Sequence, residues 1–320
     1  MKFSWGLVLK ILVALLILFI LVASGLLEPE VVVSAVTEKP LLLSMAALVY
    51  FALTLVAGGR WFLLMRAAGL DIGLRPTFHL HMTGLFFSSL LPGGAGGDLV
   101  KGYYVYRTQR DGRKALALTS VLMDRAVGVY GLVLMGMIVI ALNLELALSN
   151  NFLRLNALFY FSLFIAATGF VALLLSPVRS RLLDWIKSRN LPGKRLVEGL
   201  ANSLDTYDKQ KPALAAALLL TLVIHGGLTL CFYLILQVLD LDLSFLDNAF
   251  VVPVITLING IPVSPGGIGV TEAAGEVLYR IMGLGDSGSE ILALYHVCVL
   301  ATSLLGMPFY LAYRASGSTR

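Results

Sequence analysis

Charge is scarce in this chain. Of 320 residues, 24 are Lys or Arg and 19 are Asp or Glu, 13% together, against 58% hydrophobic residues and a mean hydropathy of +0.88. A soluble domain of this size exposes too much surface to be covered by so few charges, so the composition excludes one and points to a polytopic membrane protein. Cysteine is scarcer still. Cys231 and Cys298 stand far apart inside apolar stretches, which offers neither a disulfide framework nor a zinc site and leaves both to packing. Of four histidines, His79 and His81 are two apart, on different faces of a helix and without an acid or cysteine beside them, so no metal site is expected. His225 and His296 lie within apolar spans, as satisfied core residues or as members of a proton relay.

Catalytic signatures are missing too. There is no G-x-S-x-G, H-E-x-x-H, Walker A or dinucleotide fingerprint. The run Pro92-Gly93-Gly94-Ala95-Gly96-Gly97-Asp98 looks superficially like a phosphate loop but lacks the following Lys-Ser/Thr and the preceding strand. No catalytic residue, metal or cofactor is therefore expected, and the chain reads as a non-enzyme. With no basic-aromatic tract or soluble domain, no nucleic-acid partner is expected either.

What is present is apolar length. A helix needs about 20 apolar residues to cross the hydrocarbon core, and six stretches qualify: 7–27, 41–64, 115–142, 155–175, 213–239 and 291–313. The first is read as a retained helix rather than a signal peptide. Two shorter apolar stretches, 77–91 and 248–264, each end in a glycine motif and lead into a short amphipathic helix, 98–107 and 271–282.

The motif is written twice. Pro92-Gly93-Gly94-Ala95-Gly96 recurs as Pro265-Gly266-Gly267-Ile268-Gly269, and Gly102, Tyr106 and Arg107 recur as Gly275, Tyr279 and Arg280, seven identities in sixteen positions at a constant offset of 173. The helix after each motif reaches only about half the hydrocarbon thickness at 1.5 Å per residue. Irregular backbone at that depth must face protein or a wet cavity, so each motif is expected at the tip of a re-entrant hairpin. Basic residues cluster after the second span (Arg60, Arg66, Arg75), before the third (Arg107, Arg110, Arg113, Lys114) and in the loop 177–212, whereas 28–39 and 240–247 are mostly acidic. Placing both termini in the cytoplasm puts the basic clusters inside. The hairpins then enter from opposite faces. The expected fold is all-α and polytopic: six transmembrane helices plus two re-entrant helical hairpins in an inverted repeat. It forms a single membrane domain 1–320, with repeat one 1–150 and repeat two 151–320. The basic cytoplasmic loop is expected to hold a helix on anionic lipid.

Helix N-termini and close backbone approach at glycine suit an anionic group, and inverted repeats bring such ends towards the midplane. Gly93, Gly94, Gly96, Gly97, Gly266, Gly267 and Gly269 are therefore candidate binding residues, a phosphate headgroup being the expected ligand. A sharp turn needs the same glycines. Asp98 and Glu272, near the starts of the half-helices, either cap them or take a proton or a cationic group. Lys101, one turn after Asp98, makes an intrahelical pair possible. Asp124-Arg125 lies a third of the way into the third span. Charge there is costly, and Arg125 is the expected phosphate contact. Arg60-Trp61 reads as an interface anchor, with the arginine snorkelling to water.

The segments 88–98 (SSLLPGGAGGD), 124–128 (DRAVG) and 265–272 (PGGIGVTE), in this order and spacing, resemble the transmembrane region of the lysylphosphatidylglycerol synthase (flippase-like domain) family over nearly the whole chain. In bifunctional members this region translocates an aminoacylated phospholipid made by a separate cytosolic domain. The resemblance implies a flippase- or scramblase-like transporter of a phosphate-bearing lipid, a phospholipid or polyprenyl phosphate, in a prokaryotic plasma (inner) membrane. It implies motif positions for Asp98, Arg125 and Glu272, and no lysyl transfer. Besides the lipid, the expected partner is a second copy of the chain (a homo-oligomer) or a lipid-synthesis enzyme. The alternatives are a non-catalytic partner of a lipid-synthesis enzyme and a headgroup-modifying enzyme with Asp98 or Glu272 as base.

Overall fold

The long apolar runs form long helices, because a peptide group in hydrocarbon must find its hydrogen bond within its own segment. A computed structural model describes residues 29–89, 96–109, 113–175, 205–261 and 267–317. In chain order its helices are α1 (Pro29–Glu38), α2 (Pro40–Ala67), α3 (Leu74–Ser88), α4 (Gly96–Thr108), α5 (Lys114–Leu142), α6 (Leu144–Ser149) and α7 (Asn151–Leu175). After them come α8 (Lys211–Val238), α9 (Phe245–Asn259), α10 (Val270–Ile281), α11 (Gly288–Leu304) and α12 (Met307–Gly317).

Five stretches among the described residues are long and apolar enough to cross a membrane: Pro40–Ala67, Lys114–Leu142, Asn151–Ala172, Lys211–Val238 and Gly288–Ala312. They correspond to five of the six expected spans. The span at 7–27 and most of the basic loop, 177–204, lie outside the described residues. Two local expectations need correction. The acidic stretch 28–39, read as a loop, holds helix α1. The last span is interrupted, with turn bonds from Leu305 N to Thr302 O and from Gly306 N to Ser303 O, just before Pro308, which has no N–H to donate.

The duplication extends beyond the glycine motif. Shifted by 173, α2 would cover 213–240 and α3 would cover 247–261, each within two residues of α8 and α9 at both ends. Shifted likewise, α4 would cover 269–281, against α10, and α5 would cover 287–315, against α11 and α12 taken together.

The chain packs as two units. The Arg60 unit takes Ala52–Thr83, Asp98–Gly227 and the chain from Phe309 onward. Its core gathers Trp61, Leu64, Met65, Leu80, Val105 and Ala117 around the buried ring of Tyr207, whose hydroxyl donates to Leu64 O at 3.0 Å. Burial, the largest cause, and the negative charge of Asp124 push that phenol's pKa up. Within this unit α7 packs on α5 and presents Leu155, Leu158, Phe161 and Ile165 outward, the surface a lipid-facing helix requires.

The Glu272 unit takes the chain up to Phe51, then Gly84–Gly97 and Leu228–Pro308. Here α10 packs between α9 and α11, and α11 also meets α1. Asn248 of α9 ties three helices: its Nδ2 donates to Thr229 O of α8 at 3.1 Å, and its Oδ1 accepts from the Tyr279 hydroxyl of α10 at 2.9 Å. Cys231 and Cys298 are free thiols inside this core.

Candidate functional site

Each unit holds one buried polar cluster. In the Arg60 unit it begins with a guanidinium three-quarters of the way along α2. Arg60 is only 9% exposed and lacks the reach to leave the bundle, so it must be paired where it stands. Its Nε donates to Asp124 Oδ1 of α5 at 2.8 Å and its Nη1 to Thr221 Oγ1 of α8 at 2.9 Å. Gly128, one turn after Asp124, lies beside the guanidinium, where a Cβ would make only an ordinary 3.5 Å contact. The other Asp124 oxygen faces Lys101 Nζ of α4 at 3.6 Å. Lys101 is itself buried, bonded to Asp98 Oδ1 at 2.8 Å and placed over the Trp61 ring, 5.0 Å from its centre. Asp98 Oδ2 then faces Arg125 Nη1 at 3.7 Å. Three cations and two carboxylates are linked among the described residues. The cluster carries one surplus positive charge, and its most exposed member is Arg125, with 43% of its side chain accessible.

The Glu272 cluster is smaller and, among the described residues, has no fixed cation. Glu272 stands at the third position of α10, where a carboxylate can reach back to the helix start. Its Oε2 accepts from Gly269 N at 2.6 Å and lies 3.0 Å from Thr271 Oγ1. Its Oε1 lies 2.8 Å from Nδ1 of His296 on α11, both side chains being almost fully buried. That contact is close but not aligned as a hydrogen bond, and among the described residues neither ring nitrogen of His296 has an aligned partner. The same holds for Oδ1 of Asn259, at the end of α9 beside the turn.

The glycines at the turns have steric reasons to be glycine. A Cβ on Gly97 would come within 2.3 Å of the Gly84 carbonyl oxygen. Gly267 has φ near +80°, and a Cβ there would lie 2.0 Å from Asn259 Oδ1.

Of the sequence-predicted residues, Asp98, Lys101 and Arg125 meet in the Arg60 cluster, with Gly96 and Gly97 opening the helix that carries the first two. Glu272, Gly267 and Gly269 meet in the other cluster. Gly93, Gly94 and Gly266 lie outside the described residues. The interface-anchor reading of Arg60-Trp61 is wrong: the guanidinium is paired with Asp124 in the interior, and Trp61 is wholly buried. Asp124, Thr221, His296 and Asn259 complete the clusters without having been singled out as binding residues. A signal for Arg60 existed, since a guanidinium inside an apolar span demands an acid, and 115–142 contains one. Among the described residues no group of side chains has the makings of a metal site. His79 packs edge-on against Phe309, ring centres 5.1 Å apart, and Nε2 of His225 lies 3.4 Å from Gly128 O.

Residues 7–306 match the family model described as the lysylphosphatidylglycerol synthase TM region. The chain is similar to a UPF0104 membrane protein of Methanothermobacter thermautotrophicus, 26% identical over 267 residues that cover 78% of each chain. It is also similar to a UPF0104 membrane protein of Pyrococcus horikoshii, 22% identical over 257 residues that cover 75% of this chain and 77% of that one. No solved structure matches.

Proposed function

This multi-pass membrane protein belongs to the lysylphosphatidylglycerol synthase TM region family, and from that premise we propose that it moves a phosphate-bearing lipid between leaflets as a flippase- or scramblase-like transporter. The observation that carries the reading is the surplus cation of the Arg60 cluster. Arg60 and Lys101 are held tightly by carboxylates, whereas Arg125 is half-exposed and leans on Asp98 at only 3.7 Å. A guanidinium in that state has donors to spare for a phosphate, which it binds bidentately. The buried remainder of the network ties α4 to α5 through Lys101 and Asp124. Phospholipid and polyprenyl phosphate share this chemistry.

Helix lengths support the re-entrant reading. At 1.5 Å per residue, α3 and α9 measure about 22 Å and α4 and α10 about 18–20 Å, short of a hydrocarbon core about 30 Å thick. With the span at 7–27 counted, the order of long and short helices in the first half returns in the second with opposite polarity. We place the protein in a prokaryotic inner membrane with both termini cytoplasmic, as the basic clusters require. A headgroup-modifying enzyme would need Glu272 or Asp98 as a free base, yet both carboxylates are engaged.

The test is lipid exchange in proteoliposomes over a panel of anionic and neutral lipids, scored by quenching of labelled headgroups in the outer leaflet. Purified wild-type protein is expected to accelerate exchange of phosphate-bearing lipids over empty vesicles. Arg125→Ala is expected to slow it about tenfold, the loss of one charge-assisted contact worth about 1.4 kcal/mol. Exchange no faster than in empty vesicles across the panel overturns the transport reading, and Arg125→Ala at the wild-type rate overturns the site.

A further inference from the structure

We infer that the Glu272–His296 pair is a proton-binding site at the base of the second glycine turn. Four observations carry it. The pair is buried, with side-chain exposures of 2% and 3%. The carboxylate takes its hydrogen bonds from Gly269 N and the Thr271 hydroxyl, neutral groups that do not cancel its charge. The ring that faces it has Nδ1 within 2.8 Å. The second ring nitrogen has no partner among the described residues. A neutral imidazole faces a carboxylate favourably only with its N–H on that side, so a small ring rotation that aligns Nδ1–H with Oε1 leaves Nε2 as an acceptor with no partner among the described residues.

The pair therefore holds one negative charge in that state. One added proton makes it neutral, either as imidazolium beside carboxylate, with both ring nitrogens protonated, or as imidazole beside carboxylic acid. A buried carboxylate with no fixed counter-ion among the described residues gains by taking up a proton. The titratable and charged groups on the elements packed around it are otherwise engaged or distant. On α10, Glu276 binds Arg280 and Ser289 N, and Tyr279 binds Asn248. On α9, Asp247 lies in the first turn, its N bonded to Ser244, at the opposite end of that helix from Asn259. On α11, Tyr295 stacks on Phe232 and meets Tyr50 edge-on, Cys298 is a buried thiol, and Glu290 lies about 9 Å down the axis from His296. On α1, Glu30 and Glu38 are exposed.

The role in transport rests on the lipid-transporter reading: proton uptake would remove the negative charge beside Gly267 and Gly269 when an anionic headgroup arrives, and proton release would restore it when the headgroup leaves. Protonation itself does not depend on that reading, and the test separates the two. Infrared difference spectra of the full-length protein in nanodiscs, between about pH 8 and pH 5, report carboxylic C=O and imidazole ring modes. Wild type is expected to show a titrating signal that Glu272→Gln and His296→Gln each alter and the double variant loses. Gln keeps an acceptor for Gly269 N, and a thermal melt of each variant verifies folding. A folded double variant with the wild-type difference spectrum overturns the proposal, however fast lipid exchange is. With the signal present, exchange that keeps the wild-type pH profile in Glu272→Gln overturns the coupling alone. A signal with no exchange at all keeps the proton site and removes the transport reading.

Discussion

The two glycine turns are copies in sequence, but the side chains around them solve the burial of charge in opposite ways. In the Arg60 unit, five charged groups from α2, α4 and α5 neutralise one another, leaving one cation in excess. In the Glu272 unit a single acid is met by a single histidine. At the offset of 173, Asp98 becomes Thr271, Lys101 becomes Ala274, and Asp124-Arg125 becomes Val297-Cys298, so every charge of the first cluster is absent from the second. Glu272 and His296 sit one position away from the equivalents of Asp98 and Asp124. The duplicated scaffold thus supplies the same two places for polar groups, one just past the turn and one within the following span. One copy fills them with permanent charge and the other with a group that a proton can neutralise. On the proposed reading, the surplus cation of the first would hold an anion whatever the pH, and the second would respond to pH.

The largest expected effect tests whether the two clusters differ in what they contribute to the fold. Asp124→Asn leaves Arg60 buried without a counter-charge and Lys101 with Asp98 alone, and breaking a buried pair in this way costs about 3–5 kcal/mol. Glu272→Gln keeps an acceptor for Gly269 N, so only about 1 kcal/mol is expected. Chemical denaturation in one detergent, followed by circular dichroism, measures both. Equal losses would break the comparison, because the Glu272 pair would then be as structural as the Arg60 network.

A middle-sized effect asks whether the helices beside the Glu272 pair tolerate movement. A methyl on Gly288 would come within 2.4 Å of the backbone of Glu276, where no side chain can swing away, so α10 and α11 would have to part. Gly288→Ala should cost about 1–3 kcal/mol. Gly59, next to Arg60, has nothing within 4 Å of its would-be Cβ, and Gly59→Ala should be neutral or stabilising by up to about 1 kcal/mol. If Gly288→Ala also changes the infrared signal of the proton pair while Gly59→Ala leaves exchange untouched, the spacing of α10 and α11 sets the histidine–carboxylate contact.

Much of this was legible in the sequence and some was not, for separable reasons. The ends of α2, α5 and α8 follow the limits of apolar runs, since an apolar run in a membrane protein has few options but helix. The short helices on either side of each glycine motif were legible because the motif is repeated. The break at Leu305-Gly306 was hidden because the apolar run continues through it, and α1 because Glu30, Glu38 and Lys39 resemble loop composition. Asp98, Lys101 and Arg125 were found because charge is rare here and stands out. Their partners were harder: Arg60 and Asp124 are 64 positions apart, and Glu272 and His296 come from different helices. Such pairings are fixed by helix packing, which composition and local spacing do not encode.

The smallest expected effect concerns Arg280, and it separates pairing from burial. Its Nε and Nη2 lie 2.9 and 2.5 Å from Asp286 Oδ1, and Nη2 also reaches Glu276 Oε1 at 3.0 Å. These contacts are all shorter than the 3.7 Å between Arg125 and Asp98. By distance alone, Arg280 would outrank Arg125. Yet more than half of its side chain is exposed, so water and salt screen the pair and each partner is solvated once the other is gone. Arg107, its counterpart in the first repeat, is exposed too and donates to Tyr103 at 3.1 Å. Arg280→Gln is therefore expected to leave the denaturation midpoint unchanged at low and at high salt, while Arg60→Gln lowers it at both. A loss for Arg280→Gln as large as that for Arg60→Gln would show that ion-pair geometry, rather than removal from water, makes a charged cluster matter in this fold. The contrast between the two halves would then have to be redrawn around contact distance.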